Sequence, residues 1–125
     1  MERGLVLLVH GSRDPEWVLP FEELAEQVRR ESGGAMVALA CLQFSGPTLE
    51  DALAALAERG VTRALVVPVF ISARGHVLKD VPAAVAAVKK SHPRFEIEVS
   101  PALGELPEVR EVFIRSIAAL RNGDT

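Results

Sequence analysis

Three residues able to ligate or relay recur at one interval: His10, Gln43 and His76 stand 33 positions apart, each just past an apolar run. Equal spacing gives them comparable places in three successive structural units. Neutral imidazole is the commonest nitrogen ligand for borderline divalent metals such as Co, Ni, Fe and Zn. Two histidines without a cysteine or carboxylate at ligand spacing leave a metal underfilled. That suits an ion that is handed on better than a closed structural centre. Taken singly, each histidine also fits a hydrogen-bonded structural role at a strand end; their shared placement is what favours chemistry. Cations gather in the same segments, with Arg13 beside His10 and Arg74 and Lys79 around His76, although the chain as a whole is acidic. Local cations on an anionic body point to an anionic ligand, and the planar fork of arginine suits carboxylate or phosphate.

The elements that must position these residues follow from hydrophobic period. Four apolar runs, Gly4–Val9, Met36–Leu42, Ala64–Ile71 and Phe95–Val99, alternate with four segments of helical period. The first three runs are apolar at nearly every residue, as strands covered on both faces are. The fourth, FEIEV, alternates apolar and acidic residues and reads as an edge strand with one wet face. Pro68 predicts that the third strand ends near Val67. Helical stripes run through Val18, Phe21, Leu24, Ala25 and Val28, through Leu49, Leu53 and Leu56, through Val77, Val81, Ala84, Val85 and Val88, and through Val109, Phe113, Ile117 and Leu120. Gly60 and the His92-Pro93 pair punctuate the second and third helices.

Strict βα alternation predicts an α/β three-layer sandwich with a four-stranded parallel sheet, order 2-1-3-4, and two helices on each side. In such open sheets ligands bind past the carboxyl ends of the strands where strand order reverses, here between strands 1 and 3. His10, Gly11, Ser12 and Arg13 follow strand 1; Ser72, Arg74, Gly75 and His76 follow strand 3; Gln43 follows strand 2. Residues 1–121 are expected to form one domain, with a frayed tail at Asn122–Thr125.

Composition narrows the function classes. Of 125 residues 49% are apolar and 25% charged, the balance of a globular protein rather than a disordered one. Cys41 is the only cysteine, so a disulfide scaffold is excluded, and its place in an apolar run reads as a small core residue. A formal charge of −3 is no electrostatic footprint for nucleic acid. No apolar stretch reaches the ~18 residues of a membrane span. The start lacks a small-residue cleavage site, so a signal peptide is not expected and a cytoplasmic protein is.

LVLLVHGSRDP, LQFSGPTLEDAL and VVPVFISARGHVLKDVPAAV together resemble the class II chelatases of tetrapyrrole synthesis, in the short, single-domain form typical of sirohydrochlorin cobaltochelatases. The similarity covers residues 4 to about 120. HGSR after strand 1 combined with P-x-F-[LI]-x-x-G-x-H after strand 3 is a fairly specific pair. The resemblance implies ATP-independent insertion of a divalent metal, Co, Fe or Ni, into a sirohydrochlorin-type tetrapyrrole, with the metal as substrate and no prosthetic group. By position it makes His10 and His76 the metal-binding and proton-accepting residues; imidazole ordinarily changes protonation near neutral pH. Ser12, Arg13, Gln43, Arg74, Gly75 and Lys79 become the substrate-binding set, the cations facing the eight carboxylates of sirohydrochlorin. Leu42, Phe44, Phe70 and Val77 become candidate wall residues.

The family commonly has glutamate where this chain has Gln43, and an amide cannot accept a proton as a carboxylate does. That departure supports an alternative reading: a metal- or tetrapyrrole-binding protein that kept the fold without the reaction. The short form also implies a two-fold homodimer, since one domain offers a flat macrocycle a single wall. An acyl hydrolase is disfavoured by the absence of a G-x-S-x-G elbow. A phosphohistidine enzyme is disfavoured by Val9, where arginine would precede the nucleophile.

Overall fold

The computed structural model describes residues 3–123, with the side chains of residues 76–78 outside the described part. Strands β1 (Arg3–Val9), β2 (Met36–Cys41), β3 (Arg63–Pro68) and β4 (Glu96–Val99) alternate with helices α1 (Leu19–Glu31), α2 (Leu49–Glu58), α3 (His76–Ser91) and α4 (Pro107–Arg121). A single 3-10 turn, Leu103–Glu105, precedes α4. The sheet is parallel throughout in the order β2-β1-β3-β4, as the alternation predicts. β3 ends at Pro68, one residue past the expected Val67.

Helix limits follow local chemistry. Thr48 caps α2, its hydroxyl accepting from the Asp51 N–H at 3.1 Å, and Glu50 and Asp51 stand in the first turn, where the helix dipole favours negative charge. Pro20 fits the opening turn of α1, where no N–H is needed. Trp17 braces that entry by packing on Phe21, ring centroids 4.6 Å apart.

The two faces of the sheet are unequal. On one, Val6, Leu8, Ala64 and Val66 pack under α2 (Leu49, Ala52, Leu53, Leu56) and α3 (Val81, Val88) in the main core. On the other, Leu7 and Val37 meet Ala25 of α1, with Leu5, Leu39, Val67 and Val69 only half-buried around them. The expected second helix on this face is not there. α4 has no buried residue and packs chiefly on the 3-10 turn. Its apolar stripe is left to solvent, with Val112, Phe113, Ile114, Ile117 and Leu120 all exposed. The apolar period of α4 forms the expected helix but does not bring it onto this chain's own sheet. Of the expected tail, Asn122 caps α4, and residues 124–125 lie outside the described part.

Candidate functional site at the carboxyl end of the sheet

The ladder runs on past the formal strand ends and sets the site. The Leu42 N–H donates to the Val9 carbonyl at 2.9 Å and the Gln43 N–H to the His10 carbonyl at 3.1 Å, so the 42–47 loop follows the end of β1. On the other flank the Val69 N–H donates to the Leu8 carbonyl at 2.8 Å. Continuing the Leu8–Pro68 register by two residues sets His10 opposite Phe70. Both side chains then leave the sheet on the same face, and their rings stack with centroids 4.1 Å apart at 29°. Phe70 is buried in the main core while His10 is exposed. The imidazole therefore lies on a fixed apolar floor, and among the described residues neither ring nitrogen has a hydrogen-bond partner. Such a ring is oriented yet free to ligate or to take a proton.

Gly11 makes the close approach possible. Its φ is +90°, and a Cβ there would run into the Gln43 backbone carbonyl. Only glycine permits both that conformation and that contact. At the far side Gly104 seats the 3-10 turn on the Phe70–Ile71 segment, its N–H donating to the Phe70 carbonyl at 2.8 Å.

The remaining expected residues are distributed as follows. Arg13 is exposed, with its guanidinium carbon 4.7 Å from the centroid of the Phe44 ring. The Ser12 hydroxyl accepts from the Asp14 N–H at 3.1 Å and lines a cleft beside α1 with Glu22 and Ser45, so it is occupied in a turn rather than in contact with His10. Gln43 is exposed and meets His10 and Gly11 through its backbone. Gly75, at φ +72°, is the N-cap of α3, and His76 is that helix's first residue, its backbone at the same sheet edge as His10 and its side chain outside the described part. Arg74 and Lys79 are exposed on either side of it. Among the described residues Arg13, Arg74 and Lys79 join no ion pair, leaving three cations open to an anionic ligand. Among the described residues no three His, Cys, Asp or Glu side chains converge on a metal position. Cys41 is buried, its sulfur accepting from the Ser45 hydroxyl at 3.5 Å, which fits a core role.

Two features were not legible in advance. Phe70, a candidate wall residue by sequence, is the floor under His10; the P-x-F spacing past β3 carries that signal once the register is known. The positive φ of Phe44 has no signature in composition.

Known proteins share this architecture. The CbiX family model matches residues 4–120. A sirohydrochlorin cobaltochelatase of Methanocaldococcus jannaschii is 34% identical over 89 residues, 71% of this chain and 62% of that protein, so the match spans less than two-thirds of that relative. One from Saccharolobus islandicus strain Y.G.57.14 is 28% identical over 120 residues, 91% of this chain and 92% of that protein. Among solved structures, a CbiX protein from Marinobacter aquaeolei VT8 superposes with a TM-score of 0.79 at 28% identity, covering 98% of this chain and 99% of that one. The sirohydrochlorin chelatase SirB from Bacillus subtilis subspecies spizizenii, solved with cobalt, gives a TM-score of 0.80 at 21% identity, over 94% of this chain and 50% of that one. At that identity the likeness is one of fold.

Proposed function

The chain belongs to the CbiX family, and from that premise we propose that it inserts a divalent metal, Co²⁺ or Fe²⁺, into sirohydrochlorin without ATP. The observation that carries this reading is the exposed His10 ring at the carboxyl end of the central strand, laid on Phe70 with no competing partner among the described residues. In this reading His10 and His76 receive the metal as substrate, and one or both take the protons that leave the pyrrole nitrogens. Arg13, Arg74 and Lys79 meet the carboxylates of the macrocycle, Ser12 and Gln43 offer polar contacts, and the φ of Gly75 gives His76 its approach. Residues 1–121 act as one domain in a cytoplasmic protein, feeding cobalamin or sirohaem formation. The single thiol fits a reducing compartment.

A second copy completes the site. The rim is open, one domain offers one wall, and α4 carries an exposed apolar stripe that a two-fold dimer would bury. Gln43 supports a second reading, a metal- or tetrapyrrole-binding protein without turnover, because it cannot act as the base a glutamate would be. The visible spectrum of sirohydrochlorin mixed with Co²⁺, Fe²⁺ or Ni²⁺ separates the two. Metallation faster than the protein-free rate supports the enzyme; metal binding at the spontaneous rate supports the carrier. Gln43→Glu is expected to raise the rate where that side chain limits proton removal.

A further inference from the structure

Phe44 carries two unfavourable features at one position. It is the one non-glycine residue at positive φ among the described residues, at +70°, a conformation that crowds an L side chain. The residue is also 56% exposed, so little burial offsets that strain. The surrounding loop nevertheless fixes it. The Gln43 N–H is tied to the His10 carbonyl, the Ser45 N–H to the Gln43 carbonyl at 2.8 Å, and the Cys41 N–H to the Pro47 carbonyl at 2.8 Å. Strain held by the surroundings at an exposed residue is a mark of function rather than of folding. Arg13 lies over the same ring and joins no ion pair among the described residues.

We propose that Phe44 and Arg13 form one composite platform that selects a flat, conjugated, polyanionic ring system. The aromatic ring stacks on the macrocycle, and the guanidinium takes its peripheral carboxylates by paired hydrogen bonds. The strained backbone holds the platform at the rim, one residue from Gln43 and adjoining the His10 loop. The inference rests on the tetrapyrrole reading above, which already gives Arg13 to the carboxylates, and adds to it Phe44 as the stacking and specificity-setting residue coupled to that arginine. Stacking and the charge-assisted pair are both formed before any metal moves, so their loss falls on binding.

Phe44→Gly separates strain from recognition, because glycine adopts φ +70° freely. Thermal melting of Phe44→Gly is expected to rise above wild type. Its dissociation constant for metal-free uroporphyrin, a flat octacarboxylate read by fluorescence quenching, is expected to rise about ten-fold, in the range of a lost aromatic stack. KM for sirohydrochlorin should rise similarly, with kcat changing less than KM. Phe44→Trp should restore tight binding, and Arg13→Gln should weaken uroporphyrin more than a porphyrin with only two carboxylates. Unchanged uroporphyrin affinity in Phe44→Gly overturns the platform even where metallation is active. So does a change of oligomeric state with affinity retained, which would make the ring a contact between copies. Uroporphyrin binding lost in Phe44→Gly, in a protein that never metallates sirohydrochlorin, upholds the platform and overturns the enzymatic reading instead. Failure of the wild type to bind either ring overturns both.

Discussion

The face of the sheet under α2 and α3 is closed, and the face under α1 is half open. On the first, Leu8, Leu53 and Val66 are wholly buried and belong to one continuous core. On the second, a single helix serves the sheet, and Leu65 and Val67 of β3, with Val69 just past it, stay half-buried. A groove of about 370 Å³, lined by Leu5 and Leu65 with Arg3, Arg63, Glu96 and Glu98, opens at the amino end of the sheet. The closed face holds the monomer together and anchors the floor under His10, while the open face and the stripe on α4 keep apolar surface exposed, the surface that the proposed dimer would bury.

The sharpest way to break this division is to truncate one leucine on each face. Leu53→Ala, at a side chain with no exposure, is expected to cost about 3 kcal/mol in urea unfolding. Leu24→Ala, at a half-buried site on α1, is expected to cost about 1 kcal/mol, since less surface returns to water. Equal losses would contradict the asymmetry. Gly11→Ala probes how the closed face hands its order to the rim. Forcing the Gln43 carbonyl away and opposing φ +90° is expected to cost about 2 kcal/mol and to slow metallation well beyond what that loss of stability explains. Full activity in Gly11→Ala would detach the loop from the site. On α4, Ile117→Glu, at a residue 66% exposed, is expected to raise the dissociation constant of the proposed dimer at least ten-fold, ~1.4 kcal/mol. Sedimentation reads the dissociation constant, and far-UV circular dichroism should stay unchanged. Unfolding of the monomer by Ile117→Glu would mean that α4 docks on its own sheet.

What could be read from the sequence divides along the same line. Runs such as LVLLV and ALVV declare strands buried on both faces, and βα alternation then dictates parallel order and crossover sense, so the sheet and its switch point were derivable. The position of His10 just past β1 is legible because a strand end is a topological address. Its stacking on Phe70 was not, because it depends on the β1–β3 register, which period alone leaves open. α4 shows the limit most plainly. An amphipathic stripe says that a helix needs an apolar partner, and says nothing about whether that partner lies in the same chain. Phe44 is a candidate wall residue by sequence, but its positive φ is not legible there, because it is imposed by its neighbours' hydrogen bonds rather than by its own preference.

The most direct measurement is the initial rate of Co²⁺ insertion into sirohydrochlorin, followed in the visible spectrum at fixed metal and protein, for wild type and for His10→Ala. With the imidazole exposed and resting on Phe70, its removal leaves the core intact, so His10→Ala should keep the wild-type melting temperature within a few degrees. Its rate should fall at least 100-fold towards the protein-free rate. A folded His10→Ala protein that metallates as fast as wild type would contradict the assignment of the reaction to this rim.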